Sequence, residues 1–385
     1  MSLQTFSVPK EIIYGENALT HLSTLEGKRA TLVTGGSSMK RFGFLDQAKT
    51  ELEKAGMEVS IVDGVEPNPS IETVMRGGKE MAAFNPDWII AIGGGSALDA
   101  AKVMWVYYEY PETKFEDLVN FKFPKLRTKA KFIAIPSTSG TASEITAFTV
   151  ITDTKNHIKY PLVSPEITPD VALLDAALPE KMPAHITANT GMDVLTHAVE
   201  AYVSNAASSF TDSLAMEAIK LVFKQLPTAV SKPDNMTARA DMHNASAIAG
   251  MAFTNASLGI VHSMAHKIGG EFGITHGLAN AILLPYIVEY NRKATDKFTE
   301  IEKQLGISDF VEAVKALNQK VGIPLTLKEV TEVEITEEKF NEVLDRMSKN
   351  AFADPCTLTN PRSTSPEDIK EIYKCAFYGN TAKNI

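Results

Sequence analysis

The sequence predicts a chain of two domains, an α/β N-terminal domain built on a parallel sheet and an all-α C-terminal domain. Three observations carry this. Between residue 29 and about 175, short apolar runs alternate with helical patterns, which implies a parallel sheet with helices on both faces. A glycine run follows the third of those strands, at the strand end where such sheets hold their ligands. Past Pro179 and Pro183 the strand pattern stops, and helical periodicity continues almost to the end of the 385 residues. The domains therefore read as 1–180 and 181–385, with the site expected in a cleft between them.

In the first domain, R-A-T-L-V at 29–33, E-V-S-I-V at 58–62, W-I-I-A-I at 88–92 and K-F-I-A-I at 131–135 are the buried strands. Helices are expected over 45–55, ending before Gly56, over 71–84 and over 97–110. In the second domain they are expected over 192–203, 210–226, 238–253, 279–290, 298–305, 310–321, 338–351 and 366–377.

The loops after the strands matter most. Gly93-Gly94-Gly95-Ser96, continuing through Asp99 to Lys102, puts backbone N–H groups and the positive end of a helix at one point, which suits a pyrophosphate. It is neither G-x-G-x-x-G nor a Walker A loop. A plain tight turn is the competing reading, with Asp99 an ordinary first-turn acid and Lys102 a solvated surface charge. The next loop, Pro136 to Glu144, offers Ser137, Thr138, Ser139, Thr141 and Ser143 as hydroxyls for a phosphate or an amide, or simply as helix caps. After the first strand, Gly35-Gly36-Ser37-Ser38 is followed by Lys40 and Arg41 and contains no acid. A carboxylate there would bind the 2′-hydroxyl of NAD, so its absence favours NADP, unless the two cations only face water.

Imidazoles cluster further on: Gly259 to His276 contains three of the eight histidines. His262 and His266 are spaced i,i+4 and share a helix face, as do Asp193 and His197. Gly269, Gly270 and Gly273 are expected to break the helix and turn His276 back toward the first pair. Any one histidine is more simply a hydrogen-bonded core residue; two such pairs together suit a mononuclear metal site.

Composition sets the bounds. With 44% hydrophobic and 22% charged residues the chain is that of a globular protein without a membrane-spanning run, and no secretory signal is visible, so a cytoplasmic location is expected. The net charge of -9 and the lack of a basic run argue against nucleic acid or an anionic membrane as partner. Cys356 and Cys375, neither in C-x-x-C spacing, read as small buried groups.

Four segments, G-G-G-S-A-L-D-A-A-K from Gly93, P-S-T-S-G-T-A-S-E from Pro136, G-M-D-V-L-T-H-A-V-E-A-Y from Gly191 and H-S-M-A-H-K-I-G-G-E-F-G-I-T-H-G from His262, together resemble the iron-containing (group III) alcohol dehydrogenases. The resemblance runs from about Phe6 to Phe377 and is nearest to the clostridial NADPH-dependent butanol dehydrogenases of that family. It implies a Rossmann-like first domain in a dehydroquinate synthase-like fold. It also implies Asp193, His197, His262 and His276 as ligands of one divalent ion, iron before zinc or manganese, and His266 as the catalytic residue that moves a proton. Gly93 to Ser96 would hold the pyrophosphate, with Asp99, Thr138, Thr141 and Lys159 around the nicotinamide half. Gly36, Ser37, Ser38 and Asn68 would lie near the adenosine, and Phe148 and Phe253 beside the substrate. At Gly35 or Gly36 NAD-preferring relatives carry Asp. The implied function is hydride transfer between NADP(H), or NAD(H), and a short- to medium-chain primary alcohol or aldehyde such as butanol or butanal, in a homo-oligomer, commonly a dimer. The rivals are an NAD-linked zinc dehydrogenase of glycerol or propanediol and, lower, a metal-dependent hydrolase or lyase, which has no use for the glycine and hydroxyl loops. A non-catalytic reading, in which an ion only tightens the helices, predicts no binding of NADPH.

Overall fold

The computed structural model describes residues 3–156 and 158–385. The chain divides into two compact units, Ser7–Lys181 and Met182–Ile385, the second joined by the leading stretch to Phe6, whose ring lies 5.9 Å from that of Phe210.

The first unit contains strands β1 (Glu11–Tyr14), β2 (Arg29–Gly35), β3 (Glu58–Val65), β4 (Trp88–Gly93), β5 (Lys131–Pro136), β6 (Phe148–Asp153), β7 (Ile158–Val163) and β8 (Val171–Leu174). Its helices are α1 (Ser38–Arg41), α2 (Phe44–Lys54), α3 (Ile71–Phe84), α4 (Gly95–Glu109) and α5 (Phe115–Val119). Six strands form one parallel sheet in the order β1-β8-β5-β4-β2-β3. Because side chains alternate across a strand, Trp88, Ile90 and Ile92 enter one apolar core and Ile89 and Ala91 the other. The sheet is thus buried on both faces, as helix-covered parallel sheets are.

Strand β2 pairs with β3 on one side and β4 on the other, so the chain reverses direction across the sheet between β2 and β4. Ligands of such sheets bind at the carboxyl ends flanking that reversal. Gly35 and Gly93 end those two strands. The strands not expected from sequence are β1, β8 and the antiparallel pair β6–β7. Strand β1 and the two hairpin strands are partly solvent-facing and lack the continuous apolar run that identifies a buried strand. Strand β8, V-A-L-L and wholly buried, does have such a run, but only four residues of it, the shortest length at which it signals a strand.

The second unit is helical: α6 (Ala184–Val203), α7 (Ser209–Ser231), α8 (Met236–Ala256), α9 (Ile260–Phe272), α10 (His276–Asn291), α11 (Lys297–Leu305), α12 (Phe310–Lys320), α13 (Glu337–Phe352) and α14 (Pro366–Tyr378). Gly191 lets α7 approach α6, since a Cβ there would lie 2.2 Å from Leu226. Contrary to expectation, Gly269 and Gly270 do not break α9. Ile268 and Phe272 are buried on the same helix, and that packing outweighs a glycine cost of about 1 kcal/mol each. The helix stops only at Gly273, whose φ of 77° is left-handed. Among the described residues no helix is long and apolar enough to cross a membrane.

Candidate metal centre

Helix α6 carries Asp193 and His197 on one face, α9 supplies His262, and His276 is the first residue of α10. Gly277 permits this meeting, because a Cβ there would lie 2.3 Å from the Asn189 carbonyl oxygen on α6. One potential ligand atom from each of Asp193, His197, His262 and His276 lies within 4.8 Å of the other three. Asp193 Oδ1 is 3.8 Å from His262 Nε2 and 3.6 Å from His276 Nε2. Four atoms each about 2.1 Å from a tetrahedral ion are about 3.4 Å apart, so these gaps are nearly those of a metal shell.

The chemistry of the donors agrees. Burial, followed by the neighbouring imidazoles of His197, His276 and His266, holds His262 well below the usual histidine range, so its ring is neutral with a lone pair to offer. Asn280, one turn beyond His276, donates from Nδ2 to Asp193 Oδ1 at 2.7 Å, and the same nitrogen lies 3.2 Å from His262 Nε2 and 3.1 Å from His276 Nε2. One nitrogen within 3.2 Å of three of the four atoms shows that these atoms converge on one point. Its own Oδ1 is buried and meets no donor among the described residues. Asp193, His197 and His262 are buried, whereas the His276 side chain is 41% exposed, so the cluster is open on that side, as a catalytic metal site requires.

His266 stands apart from these four. Its ring stacks on His276 with centroids 5.5 Å apart, and its Nδ1 lies 3.1 Å from Asp354 Oδ2. His266, Asp354 and Cys356 form a second group of possible ligands. That group is already occupied by hydrogen bonds, since Lys267 Nζ donates to Asp354 at 2.8 Å and the Cys356 N–H at 3.1 Å. Burial raises the Asp354 carboxyl, but His266 and Lys267 outweigh it and hold the group well below the carboxylate range. Burial, then Asp354, pushes the Cys356 thiol up, away from the thiolate a metal needs. Phe253, on α8, is buried with its ring stacked 4.3 Å from His197. Phe148 opens β6 in the first unit and is half-buried.

The first unit gathers most of its expected cofactor residues at the carboxyl ends of the parallel strands, and Lys159 comes from the start of β7 in the hairpin. Gly93 has φ 151°, a glycine conformation, and leads into α4, whose first residue is Gly95. A Cβ on Gly95 would lie 2.9 Å from Thr141 Oγ1 and one on Gly94 3.6 Å from Thr138 Cγ2, so the glycine and hydroxyl loops touch. Asn68, after β3, donates its N–H to Ser96 Oγ at 3.4 Å and accepts from Lys159 Nζ at 2.8 Å. Gly36, with φ 61° and nothing within 4 Å of a Cβ, is open, whereas a Cβ on Gly35 would lie 2.6 Å from the Val65 carbonyl oxygen. An acid on this loop thus has room at 36 and none at 35. Ser37 and Ser38 follow at the start of α1.

Asp99 and Lys102 are neither first-turn acid nor surface charge. Asp99 accepts from Ser143 Oγ at 2.6 Å and the Val150 N–H at 2.9 Å, tying the hydroxyl loop and β6 to α4. Lys102 is fully buried and donates to the carbonyls of Thr146 at 2.8 Å and Phe148 at 2.7 Å. Sequence reasoning also passed over Asn280, Glu200 and Asp354. Glu200 follows His197 by three positions and Asn280 follows His276 by four, so helical spacing marks both; nothing local marks Asp354.

Residues 9–176 match the family described as "Iron-containing alcohol dehydrogenase", and residues 187–377 match "Fe-containing alcohol dehydrogenase family, C-terminal". The chain is 50% identical to the NADPH-dependent butanol dehydrogenase of Clostridium saccharobutylicum, over 98% of this chain and 99% of that one. Among solved structures it is similar to the iron-containing alcohol dehydrogenase of Thermococcus thioreducens, with a TM-score of 0.91 and 39% identity over 98% of this chain and 100% of that one. It is also similar to a 1,3-propanediol oxidoreductase, with a TM-score of 0.89 and 35% identity over 98% and 100% of the two chains.

Proposed function

This chain belongs to the iron-containing alcohol dehydrogenase family, and on that premise we propose that it moves hydride between NADP(H) and a short- to medium-chain primary alcohol or aldehyde, of the butanol and butanal class, at one divalent ion. The observation that carries the reading is the convergence of four ligand atoms on α6, α9 and α10 with one side open. Asp193, His197, His262 and His276 would hold the ion, iron first. When bound, the ion supplies a Lewis acid for the substrate oxygen and the nicotinamide supplies the hydride carrier.

The chain's own residues do the rest. Gly93, Gly94, Gly95 and Ser96 bind pyrophosphate through backbone N–H groups at the start of α4. Gly36, Ser37, Ser38 and Asn68 take the adenosine half, and the lack of an acid at 36 leaves room for a 2′-phosphate. Thr138, Thr141 and Lys159 take the nicotinamide half, with Asp99 bracing the hydroxyl loop. Phe253 backs His197, and it and Phe148 serve as apolar walls for the substrate. His266, part-exposed and steadied by Asp354, passes the proton. The polyol reading has weaker support, its relative being 35% identical against 50% for the butanol enzyme. We place the protein in the cytoplasm as a homo-oligomer, in keeping with its free cysteines.

The test is reconstitution of metal-stripped protein with Fe²⁺, Zn²⁺ or Mn²⁺ in turn, following NADPH oxidation with butanal and a panel of other aldehydes. Butanal should be reduced faster with NADPH than with NADH; equal or better use of NADH overturns the coenzyme assignment. His276→Ala should lose ion and activity together, while His266→Ala should keep the ion and lose roughly 10²–10⁴-fold in rate. A metal-free His266→Ala protein contradicts the division of roles.

A further inference from the structure

Glu200 is outside the ligand set, yet it is only 4% exposed and both of its oxygens are engaged at the start of α9. Oε1 accepts the Val261 N–H at 2.7 Å, and Oε2 lies 2.6 Å from Nδ1 of His262. Gly259 makes room for this, because a Cβ there would lie 2.8 Å from Oε1. An imidazole offers a lone pair to a cation from one nitrogen only when its proton sits on the other. The nitrogen of His262 that faces Asp193 and Asn280 is Nε2.

We propose that Glu200 is a positioning residue of the metal centre: its carboxylate accepts the Nδ1 proton of His262, fixing the tautomer whose Nε2 is free to bind an ion. The proposal rests on the ligand set given above. A carboxylate hydrogen-bonded to a ligating histidine orients the ring and makes it more basic. Its negative charge also joins that of Asp193, so a divalent ion enters this buried site with its charge balanced.

Only a carboxylate can do this here. It offers two acceptors to two N–H groups, whereas glutamine offers one acceptor and one donor. If the oxygen of Glu200→Gln keeps the Val261 N–H, its amide donates to Nδ1 and drives the proton onto Nε2. The amide turned the other way faces the Val261 N–H with a second donor.

Two measurements on the full chain test this. The first is imidazole ¹⁵N NMR of metal-free, ¹⁵N-histidine-labelled protein, with the His262 signals identified by their loss in His262→Ala. It is recorded at alkaline pH, where a carboxyl group is ionised. The wild type should show His262 protonated at Nδ1, and Glu200→Gln should show it protonated at Nε2. The second is Zn²⁺ affinity by competition with a chromophoric chelator, in which Glu200→Gln and Glu200→Ala should bind roughly 10–100-fold more weakly. A wild-type His262 protonated at Nε2, or unchanged Zn²⁺ affinity in folded Glu200→Gln, overturns the role of Glu200. If Glu200→Gln fails to fold, the wild-type spectrum decides by itself. The ligand set fails differently: His262→Ala then binds Zn²⁺ as tightly as wild type, or the wild type binds none.

Discussion

Glu144 and Lys102 are titratable groups placed where there is almost no water, at 2% and 0% exposure. Burial lifts the Glu144 carboxyl from 4.5 to about 7, against the opposing pull of its own backbone N–H and of Lys102. Burial likewise lowers Lys102 from 10.5 to about 8, with Asp99 and Glu144 resisting. The folded state therefore holds the Glu144 proton more tightly than the unfolded chain does. Its stabilising contribution is complete below pH 4.5 and is lost as pH rises through 7. For Lys102 the sign is reversed: its cost applies below pH 8 and is relieved between 8 and 10.5. Glutamine keeps position 144 neutral at every pH. Differential scanning calorimetry across pH 4.5–7 should show the Tm of Glu144→Gln gaining on the wild type as pH rises, with a free-energy difference growing by up to about 1.4 kcal/mol per pH unit. A gap that does not change with pH shows instead that the buried carboxyl remains ionised throughout.

Among the elements, the contact between α6 and α10 is the one on which the metal centre depends. Asp193 and His197 are fixed along a single helix, but His276 reaches them only because α10 starts where Gly277 lies against the Asn189 carbonyl. Backbone cannot yield as a flexible side chain can, so a methyl group at 277 must move the helix. Gly277→Ala should cost about 1–3 kcal/mol in denaturant unfolding and weaken Zn²⁺ binding at the same time. Loss of stability with unchanged affinity would mean that α10 shifts without carrying His276 away. Gly95 has the matching role in the first unit, where the absence of a side chain lets the glycine and hydroxyl loops touch.

At the scale of the molecule, each unit has its own construction, and the ligand atoms all belong to Met182–Ile385. A ligand that binds only the folded state stabilises it by about 2.7 kcal/mol when present at 100 times its Kd. Removing the ion should therefore speed amide hydrogen exchange up to about 100-fold in α6, α9 and α10 and leave the sheet of Ser7–Lys181 unaffected. Mass-spectrometric exchange with and without a chelator measures this directly. Equal change in both units assigns the effect to something other than these four ligands.

The alternation of buried strand and helix, the arrest of that pattern near Pro179 and the i,i+4 pairing of site residues were legible in the chain because each depends on neighbours close in sequence. The helix through Gly269 and Gly270 was not, since side chains distant in the chain stabilise it there. Nor was the burial of Lys102, whose acceptors at Thr146 and Phe148 lie just before β6 and at its first residue, more than forty positions away. Asn280, Glu200 and Asp354 had spacing at best and no visible partner. The sequence by itself determined the fold class, the glycine turn after a buried strand and the spaced carboxylate and imidazole pairs of the candidate metal site. Tertiary structure alone decided which nitrogen faces which oxygen, because hydrogen bonds form between atoms that packing brings within about 3 Å, whatever their separation along the chain.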